Sequence, residues 1–313
     1  MNPFESQSPV TPAPDFASLD QTIRRRLGRV GWGVLLYLLA AQTLGAILVM
    51  IPQIGSNIYL TMAVNEVVNY GVGPLVLWLM IRPLPKGAGP GLKLSPKAFV
   101  RTALFSLGAI YFFNLLTTLV IMGLEALSGH STGNLLESMA VSTPTGLYLV
   151  IAGLIAPVME ELIFRKLLLD RLRPFGDRWA ILISALAFGL FHMNLYQFFY
   201  ATALGLIFGG VVLKTGKVWH GMLLHAIVNL SSPALNALMA TGTVGTAVSA
   251  ILIWGFMGLM IFFFVRYAKT FRYAPPAPPV TDRQVFRNLV RSPGIWVSTL
   301  LLLAASVAVV FLV

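Results

Sequence analysis

About nine stretches of this chain are apolar over lengths close to a membrane's thickness: 31–51, 58–81, 100–125, 146–169, 179–193, 196–213, 218–238, 246–267 and 294–313. A hydrocarbon core of roughly 30 Å takes about 20 helical residues, and backbone polar groups inside it must be satisfied within the segment. The fold class that follows is all-α, a polytopic transmembrane helix bundle. Composition agrees: 57% of residues are hydrophobic and 11% charged, against roughly 25% charged in a soluble domain. The stretch 179–193 is short for a span. Those at 196–213 and 218–238 are joined by Lys214-Thr215-Gly216-Lys217, the turn of an antiparallel hairpin.

Charge placement orients the bundle. With the N-terminus in the cytoplasm, the inside segments are 1–30, 82–101, roughly 163–178, 214–217 and 266–293, and they hold all 22 Lys and Arg residues. The outside segments hold none, which is the expected bias of cytoplasmic loops. The net charge of +11 therefore reads as topology marking and contact with anionic lipid in the bilayer, not nucleic-acid binding. The absence of Cys excludes disulfides and thiolate metal sites. Residues 1–30 read as a flexible cytoplasmic tail without a signal-peptide pattern, and 31–99 as peripheral spans with a Gly/Pro/Lys-rich cytoplasmic linker. A core follows at 100–240, then peripheral spans at 241–313 with a stiff Pro-rich linker at 274–279.

Ionisable groups at bilayer depth are costly, at least about 2.5–3.5 kcal/mol on insertion scales, and they usually mark function. The fourth stretch carries Glu160-Glu161-x-x-x-Arg165. Glu161 and Arg165 are four apart in the favourable order, so they pair across one helical turn. Glu160 points about 100° away and is left as a candidate proton acceptor. Pro157 removes a backbone hydrogen bond just before the pair and is expected to open the helix there. The alternative for all three charges is an inner-leaflet cluster that merely snorkels. In the fifth stretch Phe188 walls His192, which lies roughly 21 Å past Arg178, while Glu160 lies roughly 20 Å before Arg173. The two are thus expected at similar depth. In the seventh, His225 and Asn229 share a face and can both donate toward a developing oxyanion. His220 reads as interfacial and His130 as an exposed loop residue. Glu66, beside Asn65 and Asn69 in the second stretch, reads as a packing group, with cavity lining as the alternative.

The three motifs Glu160-Glu161-x-x-x-Arg165, Phe188-x-x-x-His192 and His225-x-x-x-Asn229, in order on successive spans, resemble the CPBP family. It comprises type II CAAX prenyl endopeptidases and bacteriocin-processing and abortive-infection membrane proteins. The resemblance covers about residues 100–240. It implies a conical cavity open to the cytoplasm, with Glu160 and His192 activating a water for attack on a peptide carbonyl. It further implies that His225 and Asn229 form the oxyanion hole, supported by Glu161 and Arg165. The expected activity is an intramembrane endopeptidase acting on a membrane-associated peptide or protein that enters from the cytoplasm, in a multi-pass protein of the bacterial plasma membrane. No cofactor is expected; the alternative is one divalent metal, zinc by ligand type, on Glu160, His192 and His225. The competing functions are a non-proteolytic membrane scaffold or immunity protein that retains the polar network, and a proton-coupled transporter.

Overall fold

A computed structural model of the chain describes residues 16–87, 89–133, 143–270 and 272–312, and these form helices and no strand. In chain order they are α1 (Phe16–Val49), α2 (Ile58–Ile81), α3 (Pro96–Ser128), α4 (Thr145–Phe175) and α5 (Asp177–Phe191). Then come α6 (Leu195–Thr215), α7 (Val218–Met239), α8 (Thr243–Tyr267), the short α9 (Asp282–Val290) and α10 (Pro293–Leu312). Among the described residues, eight helices are long and apolar enough to cross a membrane. The ninth expected span, α5, has 15 residues and falls short of that length. It still connects the two ends of the bundle. Asp177 at its start donates its N–H to the Ala274 carbonyl at 3.0 Å, and just past its end Asn194 accepts from the Tyr196 N–H at 3.0 Å and caps α6.

Bonds between loops define the two ends. At the end rich in Lys and Arg, the Gly87 N–H donates to the Asp170 carbonyl (2.7 Å) and the Leu92 N–H to the Lys214 carbonyl (3.0 Å). Arg171 donates to the Ile81 carbonyl at 3.0 Å and Arg173 to the Leu213 carbonyl at 2.8 Å. At the opposite end the Gly133 N–H reaches the Val310 carbonyl at 3.2 Å, and the Thr132 and Tyr196 hydroxyls lie 2.9 Å apart. The hairpin turn between α6 and α7 forms as expected, with Gly216 at φ +67°.

Two expectations need correction. Residues 16–30 are not a tail: they are the first turns of α1, and Ile23, Leu27 and Val30 are buried at 2%, 0% and 1% exposure. An apolar stripe at helical spacing, continued by Val34, Tyr37, Leu38 and Ala41, runs straight through the arginine cluster, and α1 packs chiefly on α2 and α10. The remainder of the expected tail, residues 1–15, lies outside the described residues. Nor are the linkers free spacers. Residues 87 and 92 are tied to α4 and α6, and the Ala277 N–H donates to the Pro174 carbonyl at 3.3 Å. Backbone donors in these segments find partners on the core, so they serve as straps.

Helix α4 departs from regular α geometry where the polar residues sit. Residues Ile151–Ile155 and Leu162–Leu169 form π-helical turns on either side of Ala156–Glu161. The Ala156 N–H bonds the Ile151 carbonyl, five residues back. The next donor in that register would serve Ala152, but it belongs to Pro157, which has no N–H. The Ala152 carbonyl is therefore released, and the Asn229 side chain takes it from α7 at 2.8 Å. The expected effect of Pro157 is realised as a widened turn with a cross-helix bond, a common device at functional sites.

Candidate active site

The polar residues of α4, α5 and α7 converge. Arg165, fully buried, places its Nε 3.1 Å from Glu161 Oε2, the pair expected from their spacing. Its Nη1 and Nη2 find no hydrogen-bond acceptor among the described residues; the guanidinium instead lies over the Phe188 ring, 4.4 Å from the centroid. Glu161, also at 0% exposure, holds His225 Nδ1 at 3.2 Å through Oε1. The other imidazole nitrogen, Nε2, lies 3.8 Å from Glu160 Oε2. Gly221 makes this approach possible, since a Cβ there would meet Glu161 Oε2 at 2.5 Å.

Glu160, His192, His225 and Asn229 all line one cavity of about 290 Å³. His192 Nδ1 lies 2.9 Å from the Phe188 carbonyl, which can only accept, so Nδ1 carries the proton and Nε2 keeps its lone pair. Phe188 also sits edge-on to both imidazoles, 5.1 Å from His192 and 5.6 Å from His225. His220 is away from the cavity, buried at the Lys/Arg-rich end with Nδ1 3.2 Å from Thr215 Oγ1. His130 is exposed, its Nδ1 on the Ser128 carbonyl at 2.8 Å.

Three features depart from the reading of the sequence. Glu160 is not without a partner: the Tyr70 hydroxyl donates to its Oε1 at 2.8 Å, while Oε2 has no hydrogen-bond partner among the described residues. Tyr70 comes from α2, on a π-helical turn at Val68–Val72, outside the block that carries the motifs. Glu66, one turn before it, lines the same cavity, and its buried Oε2 has no hydrogen-bond partner among the described residues, so cavity lining replaces the packing role. The only available signal was an acid inside an apolar span. Finally, the resemblance implied an opening toward the Lys/Arg side, but the polar lining residues Thr143, Gln197 and Ser232 lie toward the opposite end.

Comparison with known proteins falls on the same segment. Residues 142–231 match the family described as type II CAAX prenyl endopeptidase Rce1-like. The matched stretch holds all three motifs. A curated relative from Bacillus subtilis (strain 168), named "Putative membrane peptidase YdiL", is 28% identical over 102 residues. That alignment covers 32% of this chain and 42% of the relative, so the chain spans less than half the length of the protein it matches. No solved structure gives a match. Both findings support the CPBP membrane-protease family to which the motifs point. The protein is a multi-pass membrane protein built as a helix bundle.

Glu160, His192 and His225 share the cavity, yet among the described residues no three His, Cys, Asp or Glu side chains form a group that could hold a metal ion. His225 has its Nδ1 committed to Glu161 and its Nε2 facing Glu160.

Proposed function

We propose that the chain is an intramembrane endopeptidase of the bacterial plasma membrane, hydrolysing a peptide bond in a membrane-associated peptide or protein without a metal. The observation that carries this is Glu160: one oxygen is held by Tyr70, the other is buried with no hydrogen-bond partner among the described residues, and the residue lines a cavity shared with His192. A water between the Glu160 carboxylate and His192 Nε2 gives its proton to the carboxylate as its oxygen attacks the carbonyl carbon. The oxyanion accepts from the second Nδ2–H of Asn229, the first being on Ala152, and from His225 Nε2. Because His225 Nδ1 already faces Glu161, donation from Nε2 needs both ring protons in place, and Glu161 offsets the resulting charge. Collapse breaks the C–N bond, and the leaving amine takes the proton that Glu160 received.

The scaffold reading draws on one observation, that Asn229 and His225 already have structural partners. Incubating the purified protein with a membrane-embedded peptide, with and without chelator, and reading products by mass spectrometry separates the cases. The expected result is chelator-insensitive cleavage. Chelator-sensitive cleavage would overturn the metal-free mechanism, and no cleavage of any membrane peptide supplied would favour the scaffold. A finer expectation concerns Tyr70→Phe, which removes one hydrogen bond to a charged group, about 1.5–3 kcal/mol. The expected effect is a fall in kcat of about tenfold or more with KM little changed; unchanged kcat would show that Tyr70 does not position the base.

A further inference from the structure

Among the described residues, the cavity meets packed apolar side chains toward one end of the bundle and polar lining residues toward the other. Between Glu160 and the Lys/Arg-rich loops, α4 presents Phe164, Leu168, Leu169 and Leu172, all at 0–1% exposure. On the neighbouring α6, Phe208, Val212 and Leu213 add a second apolar layer at 0–3% exposure. The fully buried Arg165 sits at the top of this plug, directly beneath Glu161. A peptide arriving from the Lys/Arg side would have to part about two helical turns of packed side chains. In the other direction the lining changes character. Gln197 lies two residues past the start of α6, Thr143 two before the start of α4, and Ser232 on the last two turns of α7, where it is exposed. These are uncharged hydrogen-bonding groups suited to an extended backbone, and no Lys or Arg lines the cavity.

We propose that the peptide reaches Glu160 from the face opposite the Lys/Arg loops, so that the substrate is a segment already carried across the membrane. Positive charge is retained on the cytoplasmic side, which makes the polar-lined face the non-cytoplasmic one. A lipidated tail presented in the cytoplasm then meets the apolar-packed end. The word substrate rests on the peptidase reading; the side of access does not.

The natural absence of Cys makes the test direct. Single cysteines are introduced as Ser232→Cys and Gln197→Cys at the mouth, Ser131→Cys as a marker of the polar-lined face and Lys93→Cys as a marker of the basic face. A membrane-impermeant maleimide is applied to intact cells and again after permeabilisation. The expected result is that both mouth positions label with the Ser131 marker, to the same extent before and after permeabilisation, while the Lys93 position labels only afterwards. Labelling of the mouth positions together with the Lys93 marker would overturn the proposal, and so would mouth positions that stay unlabelled on both sides. Labelling reads access alone. It can therefore succeed while Glu160→Gln leaves cleavage intact, an outcome that would sink the peptidase reading and leave the side of access standing.

Discussion

Replacing Arg165 with methionine is expected to destabilise the bundle by about 3–5 kcal/mol, the usual cost of leaving one partner of a buried ion pair uncompensated. Arg165 and Glu161 have no exposed side-chain surface. Methionine keeps most of the apolar volume over Phe188, so the loss isolates charge from packing. Adding Glu161→Gln to Arg165→Met should recover most of the stability, because removing both charges of a buried pair is often near neutral. Activity should not recover with it, since Glu161 also holds His225 Nδ1. Unfolding midpoints of the purified variants, read beside cleavage rates, check both halves. Equal midpoints for wild type and Arg165→Met would mean that the pair contributes nothing.

Exchanging Glu160 for glutamine is expected to lower the cleavage rate by about 10²–10⁴-fold, the range supplied by a positioned general base. The change is isosteric and keeps an acceptor for the Tyr70 hydroxyl, so the fold should be retained. It also removes a buried charge, so the unfolding midpoint should stay level or rise. His192→Ala should cost a comparable factor. The double variant should be little worse than either single one, because residues that act on one water behave as a unit.

Much of this arrangement was legible in the amino-acid sequence, and what was not has identifiable causes. The spans, the α6–α7 hairpin and the Glu161–Arg165 pair follow from local rules: apolar length, a glycine turn and four-residue spacing. The meeting of Glu160 and His192 could be anticipated from depth along the helices, whereas His225 was tied to them by the resemblance alone. Tyr70 could not, because its approach depends on a π-helical turn in α2, a span outside the motif block. The Asn229–Ala152 bond needs the register of α4 around Pro157, which a single sequence does not reveal. The N-terminal turns of α1 are hard to read from sequence because four arginines interrupt an otherwise intact apolar stripe. The direction of the cavity is a property of packing between helices. No spacing within one helix encodes it.

The decisive measurement is the initial cleavage rate of one membrane peptide by wild type and by Glu160→Gln, reconstituted side by side in the same vesicles with matched unfolding midpoints. A rate lost by about two orders of magnitude or more in the variant is the predicted result. Equal rates from equally folded proteins would contradict the assignment of Glu160 as the group that activates water.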